Sequence, residues 1–234
     1  MNIIDFVILA LTAIYILSGI YKGFVWNASV MGASILSCLL ALLLMGPLSS
    51  AAVKNEVLYD SMLSYTEGAE AIYDVEYAKK DIAELSTAEI DDIMQRSDLP
   101  YPMSERIYDN IMNEEFKDDG ITTLGDYFNH SMVRVMLNIV SFVLVYIAFR
   151  VFLTFMICWL DYSFKFPKLH KADAVIGGCM GVLRALIGIS ALCMLIPIVL
   201  VILPFENIRE LFESSRLVSF FYKANLLLKL IPGV

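Results

Sequence analysis

Residues 174–203 read AVIGGCMGVLRALIGISALCMLIPIVLVIL, a stretch of thirty positions with a single charge, at Arg184. A helix needs about 20 apolar residues to cross a hydrocarbon core roughly 30 Å thick. Helices in soluble cores seldom run this long without polar residues. The stretch therefore predicts a membrane-spanning helix, and Pro197 is expected to kink it.

Three further stretches share this character, at residues 3–21, 25–45 and 135–160. The first carries only Asp5, the second carries no charge and the third carries only Arg150. The first also lacks the basic start and small-residue cleavage site of a signal peptide, so we expect a retained helix. Together the four stretches predict an all-α integral membrane bundle of four transmembrane helices, arranged as two hairpins.

An acidic segment separates the two apolar halves. Residues 51–133 hold 19 Asp and Glu against 6 Lys and Arg, whereas the rest of the chain holds 6 against 11. Gly46-Pro47 is expected to end the first hairpin. The sequence thus predicts a first transmembrane hairpin (1–46), an acidic helical extracytoplasmic insert (47–133), a second hairpin (134–204) and an amphipathic interfacial tail (205–234).

The insert carries start signals for helices. Ser86 and Glu89 form a capping-box pattern, and Thr123 with Asp126 repeats it just before the third span. Residues 104–116 carry an apolar stripe at helical spacing. These patterns predict folded helices rather than disorder.

The tail alternates charged and apolar positions. Arg209, Arg216 and Lys223 recur every seven residues. The pattern is typical of a helix that lies on the membrane surface. A fifth span over residues 217–231 is the rival interpretation, although it would be short and would bury Lys223 and Lys229.

Lysines between the spans predict the orientation. Lys22 lies in the turn after the first span, and Lys165, Lys168 and Lys171 lie in the turn after the third. Basic residues near span ends favour the cytoplasm. We therefore expect the N-terminus, the insert and the C-terminus to be extracytoplasmic.

Small residues share one face of the fourth span. Gly177, Gly181 and Ala185 repeat every four residues, and Gly188 follows. At the end of the first span, Gly19 and Gly23 have the same spacing. Such faces let helices approach closely. Two interpretations stay open, namely packing within one bundle or the seam of a homo-oligomer.

Arg150 and Arg184 form a possible intramembrane polar site. A charge at the bilayer centre costs about 2.5–3.5 kcal/mol on insertion scales. One interpretation has these side chains extend to the membrane surface or bond a carbonyl group. The other is a polar cavity that binds an anion or a lipid phosphate.

The residues of enzyme sites are scarce. His130 and His170 are the only histidines, and they are expected on opposite sides of the membrane. The cysteines lie in predicted spans without metal-site spacing. We expect no catalytic residues, no metal, no cofactor and no nucleic-acid partner. The expected partners are the lipid bilayer, a second copy of the chain and an unidentified extracytoplasmic protein that engages residues 51–133.

Two motifs resemble the colicin V production protein family, whose members are CvpA-like integral membrane proteins. The resemblance covers roughly residues 1–45 and 160–195. It is carried by Asp5 and Lys22-Gly23-Phe24 in the first part, and by Pro167, Asp173, Gly177, Gly181 and Arg184 in the second. The chain departs from the family pattern at Trp26-Asn27, where many members carry charged residues, and in its long insert.

The resemblance implies a bacterial four-span protein of the inner or plasma membrane. It also implies a link to colicin V production or export and to maintenance of the cell envelope. We therefore expect a non-enzymatic scaffold or accessory factor. The alternative is a component of a small-solute, anion or lipid transport pathway lined by Arg150 and Arg184.

Overall fold

The computed structural model describes residues 2–97, 99–164, 172–203 and 205–234. These residues form α-helices and three short 3₁₀ helices, and in place of strands they contain one isolated β-bridge between Asp81 and Thr123. The α-helices are α1 (Ile3–Lys22), α2 (Phe24–Val53), α3 (Glu56–Thr66), α4 (Val75–Lys79), α5 (Thr87–Arg96), α6 (Met103–Met112), α7 (Leu124–Phe164), α8 (Asp173–Cys193), α9 (Ile196–Ile202), α10 (Glu206–Glu213), α11 (Arg216–Lys223) and α12 (Leu226–Lys229).

Four helical stretches are long and apolar enough to cross a membrane. They are α1, α2, α7 and the α8–α9 stretch Asp173–Ile202. At most 44% of the most apolar window of each stretch is buried, so large apolar side chains cover their outer faces. The predicted all-α fold with four possible spans is confirmed.

The chain divides into two compact units, each assembled from separate parts of the sequence. The first unit comprises Met1–Met45, Phe142–Ile196 and Phe205–Leu227. The second comprises Gly46–Ser141, Pro197–Pro204 and Leu228–Val234.

In the first unit, α1 packs along α8, and α11 contacts both. Gly23 lies against Asp173, whereas Tyr15 lies against Gly181. Since the numbering falls along one helix as it rises along the other, α1 and α8 run antiparallel. Small residues of α2 are also buried, among them Val30, Ala33 and Ala41.

The expected kink at Pro197 is a complete break between Cys193 and Ile196. A proline has no N–H to donate, and its ring clashes with the carbonyl group four residues earlier, here that of Cys193. The helix end is stabilised by Asn225, whose Nδ2 donates to the Ser190 carbonyl over 2.8 Å. Asn225 is 1% exposed, and its buried amide caps the C-terminal end of α8.

The second unit has an aromatic core. Phe116 packs on Tyr127 with ring centroids 5.5 Å apart. The hydroxyl of Tyr59 is 2.7 Å from Nδ1 of His130, and burial raises the pKa of Tyr59. The other large side chains that are fully buried in this unit are Met103, Ile107, Leu124, Phe128, Ile139, Leu228 and Ile231.

The last residues of the chain dock onto this core. Arg106 donates to the carbonyls of Ile231 and Lys229, each over 2.9 Å. Asn110 donates to the Gly233 carbonyl over 3.0 Å and to the Ser131 hydroxyl over 2.9 Å. Residues 228–234 are therefore part of the folded second unit.

Both predicted capping patterns are present. Ser86 and Glu89 exchange hydrogen bonds at the start of α5. The Thr123 hydroxyl donates to the Asp126 carboxylate over 2.7 Å, and α7 follows without interruption into the third apolar stretch. These helix starts are confirmed.

Three predicted helix limits differ from the structure. Helix α2 continues through Pro47 to Val53, beyond the expected end of the first hairpin at Gly46-Pro47. Helix α6 ends at Met112, short of residue 116. The tail is three short helices rather than one, since Ser215 caps α11 and Asn225 bonds the Leu227 amide just before α12.

Candidate functional site

The glycines of α1 and α8 face each other within one chain. A Cβ atom on Gly19 would overlap the Gly177 carbonyl, and one on Gly177 would overlap the Gly19 carbonyl. A Cβ on Gly181 would lie 2.5 Å from the Tyr15 carbonyl oxygen. Each position therefore requires glycine because backbone meets backbone there.

Gly188 and Ala185 complete this face. Gly188 lies beside the Tyr15 ring, where an added Cβ would be 3.1 Å from the hydroxyl oxygen. Ala185 is 1% exposed. The small residues predicted from the sequence thus line an intrachain contact.

Asp173 caps the N-terminus of α2. Its Oδ1 accepts a hydrogen bond from the Phe24 N–H over 2.9 Å. Gly23 has φ +81° and its α-carbon lies directly against the Asp173 carboxyl group, so both conformation and space demand glycine. A carboxylate at a helix N-terminus satisfies an amide that has no partner within the helix and complements the helix dipole.

Asn27 joins three elements. Its Nδ2 donates to the carbonyls of Gly19 over 3.1 Å and Gly23 over 2.6 Å. Its Oδ1 accepts from Nη1 of Arg184 over 2.5 Å. Asn27 is fully buried, and these bonds tie the end of α1 and the start of α2 to the middle of α8.

Arg184 is a buried cation. Its side chain is 8% exposed, and its guanidinium lies 5.3 Å from the Tyr15 ring centroid and 5.1 Å from that of Trp26. Such stacking stabilises a desolvated cation by about 2 kcal/mol. The buried Nε has no hydrogen-bond partner among the described residues. We call Gly23, Phe24, Asn27, Asp173 and Arg184 the helix junction.

Arg150 lies on α7 within the first unit. Its Nη1 donates to the Thr154 hydroxyl over 2.8 Å, one turn further along α7. Arg150 is half-buried, and its described hydrogen bond stays within α7 and does not reach Arg184.

Asp5 stands at the other end of α1. Its Oδ2 accepts from the Asn2 N–H over 2.9 Å, which completes a capping box. Its Oδ1 accepts from the Ser215 hydroxyl over 2.6 Å and the Leu217 N–H over 3.0 Å. Ser215 in turn accepts from the Val218 N–H over 3.1 Å. Asp5 thus holds the first turn of α11 against α1.

Two of the predicted motif residues lie apart from these networks. Lys22 places its Nζ 5.4 Å above the Trp26 ring and makes no bond to the helix junction. Pro167 lies outside the described residues. Asn27, Tyr15 and Ser215 were not predicted from the sequence as site residues. For Asn27, the sequence signal was a single Asn in an uncharged apolar span, because an amide in lipid must find hydrogen-bond partners.

The chemistry of these networks is structural. The carboxylates of Asp5 and Asp173 accept backbone N–H groups at helix starts, and Asn27 satisfies two backbone carbonyls. In the described residues there is no group of three His, Cys, Asp or Glu side chains placed to hold a metal ion. All four cysteines are free thiols.

One family comparison bears on these contacts. Residues 120–225 match the family model of the colicin V production protein. The resemblance noted in the sequence is confirmed by this match. No curated protein and no solved structure matches the chain.

The colicin V production match spans α7 to α11. It contains Asp173, Gly177, Gly181 and Arg184, whereas Asp5 and the turn Lys22-Gly23-Phe24 precede it. Asp5 nevertheless bonds Ser215, and Phe24 and Asn27 bond Asp173 and Arg184. The N-terminal motif residues thus fold against the matched region. Together with the four apolar helices, the match fits a multi-pass membrane protein.

Proposed function

We propose that this protein is a non-enzymatic scaffold or accessory factor in toxin production, toxin export or maintenance of the bacterial cell envelope. The first unit is its membrane anchor. The second unit presents a folded acidic surface to a protein partner outside the cytoplasm. The family match supports the link to toxin production. It also supports the non-enzymatic role, since the colicin V production family is not known as an enzyme family.

The scaffold role is supported by the hydrogen bonds that the buried polar side chains make to the backbone. In the first unit, Asp5, Asn27 and Asp173 each bond backbone groups of two helices or of a helix start. Residues with these bonds hold helices in place. Such an anchor suits a protein that positions others.

The second unit carries the surface that we propose contacts the protein partner. Large apolar side chains stand exposed on α3 and near α4, namely Val57 (79% exposed), Tyr65 (85%), Tyr73 (78%) and Val75 (69%). Exposed aromatic residues on an otherwise charged surface favour protein contact.

The proposed orientation places the turn at Lys22 in the cytoplasm and the second unit outside. Contact between Gly23 and Asp173 supports the cytoplasmic placement of one end of the first unit, because it keeps the Lys22 turn and the start of α8 together there. A cysteine introduced at the exposed Ala88 of α5, with the native cysteines replaced, should react with a membrane-impermeant thiol reagent in intact cells. A cysteine at Lys22 should react only after permeabilisation. The reverse pattern would refute the orientation.

Complementation tests the scaffold role. A deletion strain should lose toxin secretion or become sensitive to detergent, and the wild-type gene should restore it. The Y65D/Y73D double variant should insert into the membrane normally and fail to complement, whereas Ala88→Asp on the exposed side of α5 should complement. Full complementation by Y65D/Y73D would contradict the proposal.

A flux assay separates this proposal from transport. The purified scaffold in liposomes should show no solute or ion flux. Flux through the wild-type protein that Arg184→Leu abolishes would instead support the transport pathway lined by Arg150 and Arg184.

A further inference from the structure

Helix α3 belongs to the second unit but has no fully buried residue. Its inner face is a stripe of half-buried side chains at helical spacing, namely Tyr59, Met62, Leu63 and Thr66. The next anchor follows the helix, where the Ala69 N–H donates to the Asn129 side chain of α7 over 2.8 Å. Elements with few buried apolar contacts open at a low cost in free energy, so one polar contact can determine whether α3 stays docked.

That polar contact joins Tyr59 of α3 to His130 of α7. The Tyr59 hydroxyl lies 2.7 Å from Nδ1 of His130, and the two ring centroids are 5.6 Å apart. A neutral imidazole that carries its proton on Nε2 can accept the hydroxyl proton at Nδ1, whereas an imidazolium has two donors and no acceptor. Protonation of His130 therefore leaves the Tyr59 hydroxyl proton without its acceptor.

Three charged groups also face His130 from the elements packed around it. They are Asp119, at the end of the 3₁₀ helix Lys117–Asp119, and Asp126 and Arg134 of α7. Asp126 and Arg134 lie four positions before and after His130, which places them on its face of α7. Both carboxylates are exposed, so water and salt screen their attraction for an imidazolium.

Burial and Arg134 oppose a second positive charge at this position. The buried ring of Phe116 lies 6.1 Å from that of His130 and 5.7 Å from the guanidinium carbon of Arg134. Arg134 is one-quarter exposed, and its buried Nε has no hydrogen-bond partner among the described residues. Burial, reinforced by Arg134, keeps the pKa of His130 below its ordinary value of 6.5 despite the two carboxylates.

The lowered pKa couples protonation of His130 to the position of α3. When α3 leaves α7, the imidazole meets water and its pKa returns toward 6.5, so the released state binds a proton more readily than the docked state. The contribution of the neutral imidazole to docking is therefore complete above pH 6.5 and is lost as the pH falls through the lower pKa of the docked state.

We propose that His130 is a pH-sensitive switch that holds α3 against α7 while neutral and releases α3 when protonated. Helix α3 also carries Val57 and Tyr65, two of the exposed residues of the surface for the protein partner. Acidification outside the cytoplasm therefore changes that surface. This consequence rests on the proposed function, whereas the switch itself requires no partner.

The test measures hydrogen exchange across residues 56–66 in the full-length protein in a neutral detergent, in steps from pH 7.5 to pH 5. Rates are corrected for the slower chemical exchange in acid, and α5 is the internal reference. His130→Gln keeps a neutral hydrogen-bonding side chain that does not titrate. Tyr59→Phe keeps the ring and removes the hydroxyl. His170→Gln, at the only other histidine of the chain, is the matched control.

In the wild-type protein and in His170→Gln, protection of residues 56–66 should fall about tenfold or more as the pH drops, while protection of α5 stays constant. His130→Gln should be equally protected at every pH, and Tyr59→Phe should be weakly protected throughout. Should His130→Gln fail to fold, nitrogen NMR of the wild-type imidazole decides, because its titration and the loss of protection must share one midpoint. Constant protection in the wild type, a response that survives His130→Gln, or two different midpoints would overturn the proposal.

Discussion

Arg184 and Asn27, 157 positions apart in sequence, share a buried 2.5 Å hydrogen bond. The amide orients the guanidinium between Tyr15 and Trp26 and satisfies two backbone carbonyls with its own N–H groups. One neutral side chain therefore connects α1, α2 and α8.

Asn27→Leu should destabilise the protein strongly. The substitution leaves a buried cation without its hydrogen-bond partner, and bonds to charged groups contribute roughly 1.5–3 kcal/mol. We expect a loss of about 2–4 kcal/mol in unfolding free energy, measured by denaturant titration in mixed micelles. Ser29→Ala, which removes only a bond to the Val25 carbonyl within α2, is the control and should cost under about 1 kcal/mol. Equal effects of the two substitutions would contradict the role of Asn27.

Gly177→Ala should disrupt the contact between α1 and α8. The added methyl group meets the Gly19 carbonyl, and backbone atoms yield only if the helices separate. Overpacking of this kind costs about 1–3 kcal/mol. Gly32→Ala in α2 is the control, because no atom lies within 4 Å of its added Cβ, and the helix should gain roughly 0.5–1 kcal/mol. Thermal unfolding in detergent compares them, and a neutral Gly177→Ala would show that this face is not tightly packed.

The sequence predicted the features that depend on neighbouring residues. Long apolar runs define the spans, and the Ser86–Glu89 and Thr123–Asp126 patterns define helix starts, because each depends on residues within a few positions. The four-residue spacing of Gly177 and Gly181 likewise places them on one face. Which helix meets that face is a tertiary property that spacing alone does not determine.

The sequence did not predict the pairings that build the site. Asp5 bonds Ser215 across 210 positions, and nothing in a serine of an amphipathic tail marks it as the partner of a span residue. The path of α2 through Pro47 was missed for a different reason. A proline in a helix interior costs about 3 kcal/mol, so the local sequence predicts an end there, whereas the continuation depends on the rest of the thirty-residue helix.

Ser215→Ala should loosen the tail from the first unit. Ser215 caps α11 and donates to Asp5, and loss of a serine N-cap costs about 0.5–2 kcal/mol. We expect faster hydrogen exchange across residues 216–223, with little change in α5. Ser61→Ala, which removes only an exposed local bond to the Val57 carbonyl in α3, is the control. Unchanged exchange in Ser215→Ala would mean that other contacts hold the tail.

The capping box of α5 should make stability depend on pH. Hydrogen bonds from the Ser86 N–H and hydroxyl keep the pKa of Glu89 below its ordinary value of 4.5. The unfolded chain therefore binds a proton more readily, so the contribution of Glu89 is complete above pH 4.5 and disappears as the pH falls through the folded pKa. The melting temperatures of wild type and Glu89→Gln should differ at pH 6 and converge as the solution is acidified. A difference in melting temperature that does not change with pH would exclude stabilisation of α5 by the ionised Glu89 side chain.

Arg106 should hold the end of the chain on the second unit. It is one-fifth exposed and donates to two carbonyls of the segment that also carries Leu228 and Ile231, both fully buried. Arg106→Met keeps an unbranched apolar stem and removes both bonds, so we expect a loss of about 2–3 kcal/mol and rapid exchange over residues 228–234. Arg96→Met, which removes an exposed ion pair with Asp92, should cost well under about 1 kcal/mol. If the two substitutions prove equivalent, apolar burial of Leu228 and Ile231 is sufficient to dock the segment and the arginine is dispensable.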